Sequence, residues 1–224
     1  MCEVNNLLRA LKKFDTSIVS DALDKLGMKG AVAGLLQLTV RRRIAGRVVT
    51  VKLRPPLADE APTRHLGTGA VVAASANDII VVEHGGRMDC AGWGGLLARG
   101  AARKNMGGII VDGAVRDVDE CAALGMPVFA RGATPMTARG RAIEHSFNEP
   151  ICIAGLSVFP GDLVLADGTG VVFLPVVEAA RILEVANQLF NREEALGREI
   201  DSGRPLDAVM NAKYEDMLKR EVDS

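Results

Sequence analysis

The chain of 224 residues is long enough to bury a sizeable core, and its 48% apolar and 25% charged residues are the proportions of an ordinary globular protein. Its 27 basic and 28 acidic residues nearly cancel, at a net charge of −1, so it lacks the basic excess that nucleic acid or a membrane surface would require. Aromatic residues make up 4%, with one Trp and one Tyr, which argues against a stacking platform for single-stranded nucleic acid.

The first 27 residues read as helical. The start "MCEVNNLLRALKKFD" lacks the layout of a signal peptide. In "DTSIVSDALDKLG", Asp15 or Thr16 is a suitable N-cap, Val19, Ala22, Leu23 and Leu26 follow at helical spacing, and Gly27 suits the position after the last turn. Residues 44–53 and 78–83 ("DIIVVE") are rich in β-branched residues and read as strands. A Gly-rich loop, "HGGRMDCAGWGG", is expected next. "LLARGAARKN" then forms a helix with Leu96, Leu97, Ala101 and Lys104 near one face, and residues 109–112 form a strand. Strand, loop, helix and strand at this spacing make a βαβ unit, so a partly parallel sheet is expected.

The second half is richer in strands. "PVFARG", "ICIAGLSV", "DLVLAD" and "GVVFLP" are short and are separated by Gly, Asp and Pro turn signals. Residues 176–202 read as a long helix with Ala179, Ile182, Leu183, Ala186, Leu189 and Phe190 as its apolar stripe, stopped by Gly203 and Pro205. A last amphipathic helix would carry Leu206, Met210, Tyr214, Met217 and Leu218. The expectation is one domain over 1–224, with 176–224 as a helical extension that covers the sheet or makes a subunit contact. No apolar run approaches membrane-spanning length, and the four cysteines form no CxxC pair, so a reduced cytoplasmic protein without a zinc knuckle is expected.

Two features converge on a candidate site. A helix opening at Gly94–Gly95 offers unpaired backbone N–H groups and the positive end of its dipole. The next strand delivers Arg116 and Asp117 at its carboxyl end, the edge where α/β folds favour ligands. Arginine has the planar fork that suits a carboxylate, and aspartate is a hard oxygen ligand for Mg2+ or Mn2+. A 2-oxo acid needs both kinds of partner. The plainer alternative is a turn salt bridge between the two residues, worth about 0–1 kcal/mol if exposed.

The stretch "WGGLLARGAARKNMGGIIVDGAVRDVDECAALGMPVFARGATP" resembles the signature region of the RraA-like family, with support from "TSIVSDALDKLG", "SANDIIVVE" and "PGDLVLADGTGVVFLP". That family includes regulators of ribonuclease E activity and metal-dependent 4-hydroxy-4-methyl-2-oxoglutarate aldolases. The resemblance implies an α/β, three-layer β/β/α swivelling-domain fold and a homotrimer or homohexamer with sites between subunits. It further implies that Arg116 binds the substrate carboxylate and stabilises an enolate, and that Asp117 holds Mg2+ or Mn2+. The N–H groups around Gly94, Gly95, Leu96 and Leu97 would grip the pyruvyl carboxylate. One position departs from the aldolases, which carry an acid twenty-one residues before the arginine; here that residue is Gly95. Asp89, six residues upstream, is the expected stand-in, carried over the helix N-terminus by a loop made pliant by Gly85, Gly86 and Gly92.

Other residues carry weaker signals. His65, His84 and His145 have no ligand spacing, with His84 somewhat favoured by its place after a strand. Arg131 follows a strand and matches a family position near the site. Glu193 and Glu194 read as a solvated helix face, or as a contribution to a neighbouring subunit's site. "GTGAVV" at 67–72 is not GxGxxG, so dinucleotide or S-adenosylmethionine binding is not expected. The expected function is divalent-metal-dependent retro-aldol cleavage or decarboxylation of a small-molecule 2-oxo acid, yielding pyruvate, with a metal-bound water as base. The alternative is a non-catalytic oligomer that regulates another protein by binding it.

Overall fold

The computed structural model describes residues 2–58, 60 and 64–210. Two helices open the chain, α1 (Cys2–Leu11) and α2 (Thr16–Lys25), and two short strands follow, β1 (Ala31–Val32) and β2 (Leu36–Gln37). Next come β3 (Ile44–Arg54), α3 (Thr68–Ala73), β4 (Ile79–Ala91), α4 (Gly95–Arg103), β5 (Gly108–Val115), α5 (Val118–Ala123) and β6 (Val128–Ala133). The chain continues through β7 (Ile143–Phe147), β8 (Ile151–Ile153), β9 (Leu156–Val158), β10 (Leu163–Ala166) and β11 (Val171–Leu174). It then enters α6 (Ala179–Asp201) and α7 (Leu206–Val209).

Strands β3, β4, β5 and β6 are parallel, as the βαβ pattern requires, and β2 closes the β6 edge antiparallel. Strand β3 is long enough to serve two sheets. Its first residues, Ile44–Arg47, pair antiparallel with β10, which pairs in turn with β11, and β11 with β1. Its last residues pair with β7. All eight residues of β5 are buried, the continuous burial expected of a central parallel strand.

Three apolar clusters define the layers. Ala70 and Val71 of α3, Ala98 and Ala101 of α4 and Cys121 of α5 pack on one face of the parallel strands, with Val82, Ile109, Val111 and Ala130. The opposite face, with Ile79, Val81, Ile110 and Phe129, packs on Val164 and Phe173 and on the β8–β9 hairpin. The outer face of β10–β11 is covered by α1, α2 and α6. This is the expected three-layer β/β/α arrangement with a helical cover on its far side. Helix α6 buries Ala179, Ile182, Leu183, Ala186 and Leu189 of the expected stripe, and the ring of Phe190 meets Phe14 edge-on at 5.8 Å.

Several local expectations need correction. The N-terminal helix is two helices, the second capped by Asp15, whose Oδ1 accepts from Ile18 N–H at 2.9 Å. The Gly-rich segment after residue 83 is not a free loop: β4 runs on to Ala91 with two register shifts against β5. Gly85 and Gly86, both left-handed (φ +63° and +71°), sit at the first shift, where they let the strand bulge and continue. Helix α4 buries Ala98 and Ala101 while Leu96 is 83% exposed. The stretch at 67–72 contributes to a short helix rather than to a nucleotide loop. The final amphipathic helix is seen only as α7; Tyr214, Met217 and Leu218 lie outside the described residues.

Candidate active site

Arg116 and Asp117 leave the carboxyl end of β5 beside the start of α4. The approach of the two elements is fixed by backbone bonds: Arg116 N–H donates to Trp93 C=O at 3.0 Å and Gly92 N–H to Ala114 C=O at 2.8 Å. Asp117 has left-handed backbone angles (φ +58°, ψ +39°), which aspartate tolerates better than most residues. Its carboxylate does not cap its own helix. Oδ2 instead accepts the Gly95 N–H at 2.9 Å and meets Arg116 Nε at 3.3 Å. Both contacts use Oδ2, and among the described residues Oδ1 meets no protein donor.

These residues line a cavity of about 370 Å3 with Gly94, Gly95, Leu96 and Leu97. The volume suits a small organic acid. Gly95 N–H is already taken by Asp117, so Leu96 and Leu97 supply the helix-start donors that meet no acceptor among the described residues. The expected set, Gly94 to Leu97 with Arg116 and Asp117, is thus brought together.

The remaining wall was not legible in the sequence. It includes Glu60, Arg64, His65, Trp93, Thr137 and Arg139, drawn from segments separated by up to 79 residues. Arg54 pairs with Glu60 at 2.7 and 2.8 Å, and this bond, helped by Leu57 N–H, lowers the Glu60 carboxyl to about 2. Arg64 lies over the Phe147 ring and bonds Glu144, which also accepts Gly67 N–H at 2.7 Å. His65 Nδ1 donates to Leu66 C=O at 3.0 Å. Arg139 has no carboxylate partner among the described residues.

Other singled-out residues lie elsewhere. Asp89 is 61% exposed on its side chain and bound by both arms of Arg87, at 2.9 and 2.7 Å; it is not on the cavity wall. Arg131 binds the buried Asp112 at 2.5 Å, and Asp112 accepts Ala154 N–H at 3.0 Å, so this pair secures the β8–β9 hairpin. His84 is buried with Nε2 2.9 Å from Cys90 C=O, and burial lowers its pKa. Glu193 faces Asp21 and Asp15 across α2 and α6; burial, with those charges, raises its pKa. Glu194 lies 3.9 Å from Arg198 along α6.

The sequence model of the family described as RraA-like, Aldolase/RraA, matches residues 16–173. The chain is 31% identical over 205 residues to protein DlpA of Legionella pneumophila; the match covers 90% of this chain but about a third (33%) of DlpA's length. It is 33% identical over 135 residues to the 4-hydroxy-4-methyl-2-oxoglutarate aldolase of Thermus thermophilus, covering 60% of this chain and 77% of that protein. Among solved structures it superposes with a TM-score of 0.77 and 28% identity on Streptomyces coelicolor RraAS2, described as an unusual member of the RNase ES inhibitor RraA family, over 84% of this chain and 94% of that one.

Proposed function

The chain belongs to the RraA-like family, and on that premise we propose that it is a divalent-cation-dependent lyase that cleaves a carbon–carbon bond of a 2-oxo acid and releases pyruvate. The observation that carries this reading is the meeting of Arg116, Asp117 and the α4 N–H groups on one cavity wall.

The donor set fits a hard cation. Asp117 offers a half-exposed carboxylate whose Oδ1 meets no protein donor among the described residues, and Mg2+ commonly binds through one or two carboxylates with water completing its shell. When bound, Mg2+ or Mn2+ would supply a Lewis acid to the C2 keto oxygen. The protein's own groups do the rest. Leu96 and Leu97 N–H receive the C1 carboxylate at the positive end of α4. Arg116 holds the substrate by its planar fork and opposes the charge that grows on the C2 oxygen. In a 4-hydroxy-2-oxo acid, the C4 hydroxyl gives up its proton to water and C4 leaves as a carbonyl compound as C3–C4 breaks; the electron pair of that bond becomes the enolate of pyruvate, which takes a proton from water at C3. In an oxaloacetate-like substrate the same enolate follows loss of carbon dioxide. Asp89 has no part in this scheme, because its carboxylate is committed to Arg87 away from the wall.

The family resemblance further suggests a homotrimer or homohexamer with the site at a subunit boundary, which is part of the proposal. Among the described residues no helix is long and apolar enough to cross a membrane; a cytoplasmic location is part of the proposal. The second reading, a non-catalytic regulator, is favoured by one observation, the superposition on RraAS2.

The test is pyruvate release, coupled to NADH oxidation by lactate dehydrogenase, from oxaloacetate and 4-hydroxy-4-methyl-2-oxoglutarate. Turnover with Mg2+ or Mn2+ that EDTA abolishes is expected. No release from a panel of 2-oxo acids with either cation would overturn the enzyme reading in favour of the regulator.

A further inference from the structure

Gly95 is a glycine for a reason visible only in space. A Cβ built on it would lie 1.9 Å from Glu120 Oε2, 2.6 Å from Glu120 Cδ and 3.3 Å from Asp117 Cβ. A Cβ on Gly94 would lie 2.9 Å from Asp117 Oδ2. The carboxylate of Glu120 therefore stands in the volume that a side chain at position 95 would fill, beside the carboxylate of Asp117.

The local sequence makes this arrangement unusual. Asp117 precedes α5 and Glu120 is its third residue, the spacing of a capping box, in which both side chains would serve their own helix. Asp117 makes no such cap bond and crosses instead to Gly95 N–H. Glu120 also crosses to α4, where Oε1 accepts Arg99 Nη2 at 2.7 Å. Arg99 thus holds one oxygen and fixes the side chain, while Oε2 is the atom over Gly95. Two carboxylates brought against one step of backbone repel each other unless positive charge lies between or beside them. Arg116 and Arg99 each meet one of the pair.

We propose that Glu120, admitted by the absence of a side chain at Gly95, supports the cation site of Asp117 from behind Gly95: it is not itself on the cavity wall, and its Oε2, the oxygen that Arg99 leaves free, acts through water. The proposal rests on the reading of Asp117 given above. Glu120 acts as a positioning residue: it adds negative charge and an oxygen acceptor near the cation, through an intervening water. The acid that the aldolases carry at position 95 and a glutamate reaching over from position 120 would compete for one volume, so this chain uses the second in place of the first.

The experiment is calorimetric titration of the whole chain with Mn2+, with circular dichroism as the control for folding. Glu120→Gln is expected to weaken Mn2+ binding about 10- to 100-fold, the usual effect of removing a supporting group at a metal site. Arg99→Met leaves the carboxylate and is expected to change affinity far less. The double variant Gly95→Asp/Glu120→Ala moves the acid from one helix to the other and is expected to regain most of the affinity lost in Glu120→Ala. Wild-type affinity in Glu120→Gln, beside a loss in Asp117→Asn, would overturn this proposal and leave the Asp117 site standing. Wild-type affinity in Asp117→Asn would overturn both. A loss in Arg99→Met equal to that in Glu120→Gln, or no recovery in the double variant, would show that the ion pair matters and not the carboxylate's place, and would also overturn it. If Glu120→Gln does not fold, the double variant decides by the same criterion.

Discussion

The backbone N–H of Gly95 donates to Asp117 Oδ2 at 2.9 Å, so the first residue of α4 is tied to the residue that precedes α5. The bond holds the carboxylate at the mouth of the cavity although Asp117 must adopt a left-handed backbone to make it, a conformation that costs about 1–3 kcal/mol for a residue other than glycine and less for aspartate. Asp117 therefore serves the neighbouring helix and the cavity rather than its own helix.

Arg116→Lys keeps the positive charge and loses the planar fork. A fall in kcat/KM of about 10²-fold or more is expected, about 2.7 kcal/mol of transition-state stabilisation, with little change in Tm because the side chain is half-exposed. Steady-state kinetics beside a thermal melt checks this; near-normal turnover by the lysine variant would remove Arg116 from the mechanism.

Asp89→Asn tests the stand-in role that its position in the chain suggests. The side chain is largely exposed and bound to Arg87, so kcat within about twofold of wild type is expected. A loss as deep as that of Asp117→Asn would place Asp89 at the site in spite of this geometry.

Asp167 anchors α2 to the turn between β10 and β11, accepting Thr16 N–H at 2.9 Å and the Thr16 hydroxyl at 2.7 Å. Burial would raise its carboxyl, but the bonds from Thr16 and Thr169 and the charge of Arg43 together hold it below the ordinary 3.8. A carboxyl lowered in the folded state stabilises the fold fully above its unfolded value and loses that contribution as pH falls through the lowered one. Asp167→Ala should cost about 2–3 kcal/mol near neutral pH, since Thr16 is left with unpaired buried donors. Urea melts at pH steps below about 4 should show the gap between wild type and variant narrowing. A gap that is constant with pH would refute the assignment.

Gly46→Ala tests close packing at the bottom of the parallel sheet. A Cβ there would lie 2.4 Å from Asn77 C=O and 2.9 Å from Ile79 Cγ1. The carbonyl belongs to the backbone and cannot swing away, so a loss of about 1–3 kcal/mol is expected, read as a lower urea midpoint with unchanged slope. Equal stability would mean that the β3–β4 contact is looser than these distances.

Much of the architecture was legible because its signals are local. Asp15 caps α2, the apolar run at 109–112 lies within the buried parallel strand Gly108–Val115, and the stripe of α6 lies where helical periodicity puts it. The pairing of a Gly-rich helix start with Arg116 and Asp117 was also readable, because a βαβ unit brings a helix start and a strand end to the same edge. The failures came from signals that are ambiguous over a short range. Gly85 and Gly86 read as a loop but form a bulge within β4, and the six-residue helices α3 and α5 are too short to show a period.

The sequence by itself determined the parallel core, the family resemblance and the residues that deliver charge to its edge, since each depends on spacing along the chain. Only the tertiary structure decided which acid lies beside Asp117. Asp89 is six residues from Gly95 and is held away by Arg87, whereas Glu120 is twenty-five residues away and fills the space over Gly95. That proximity is created where the starts of α4 and α5 converge at the exit of β5, a relation between elements that no local pattern encodes.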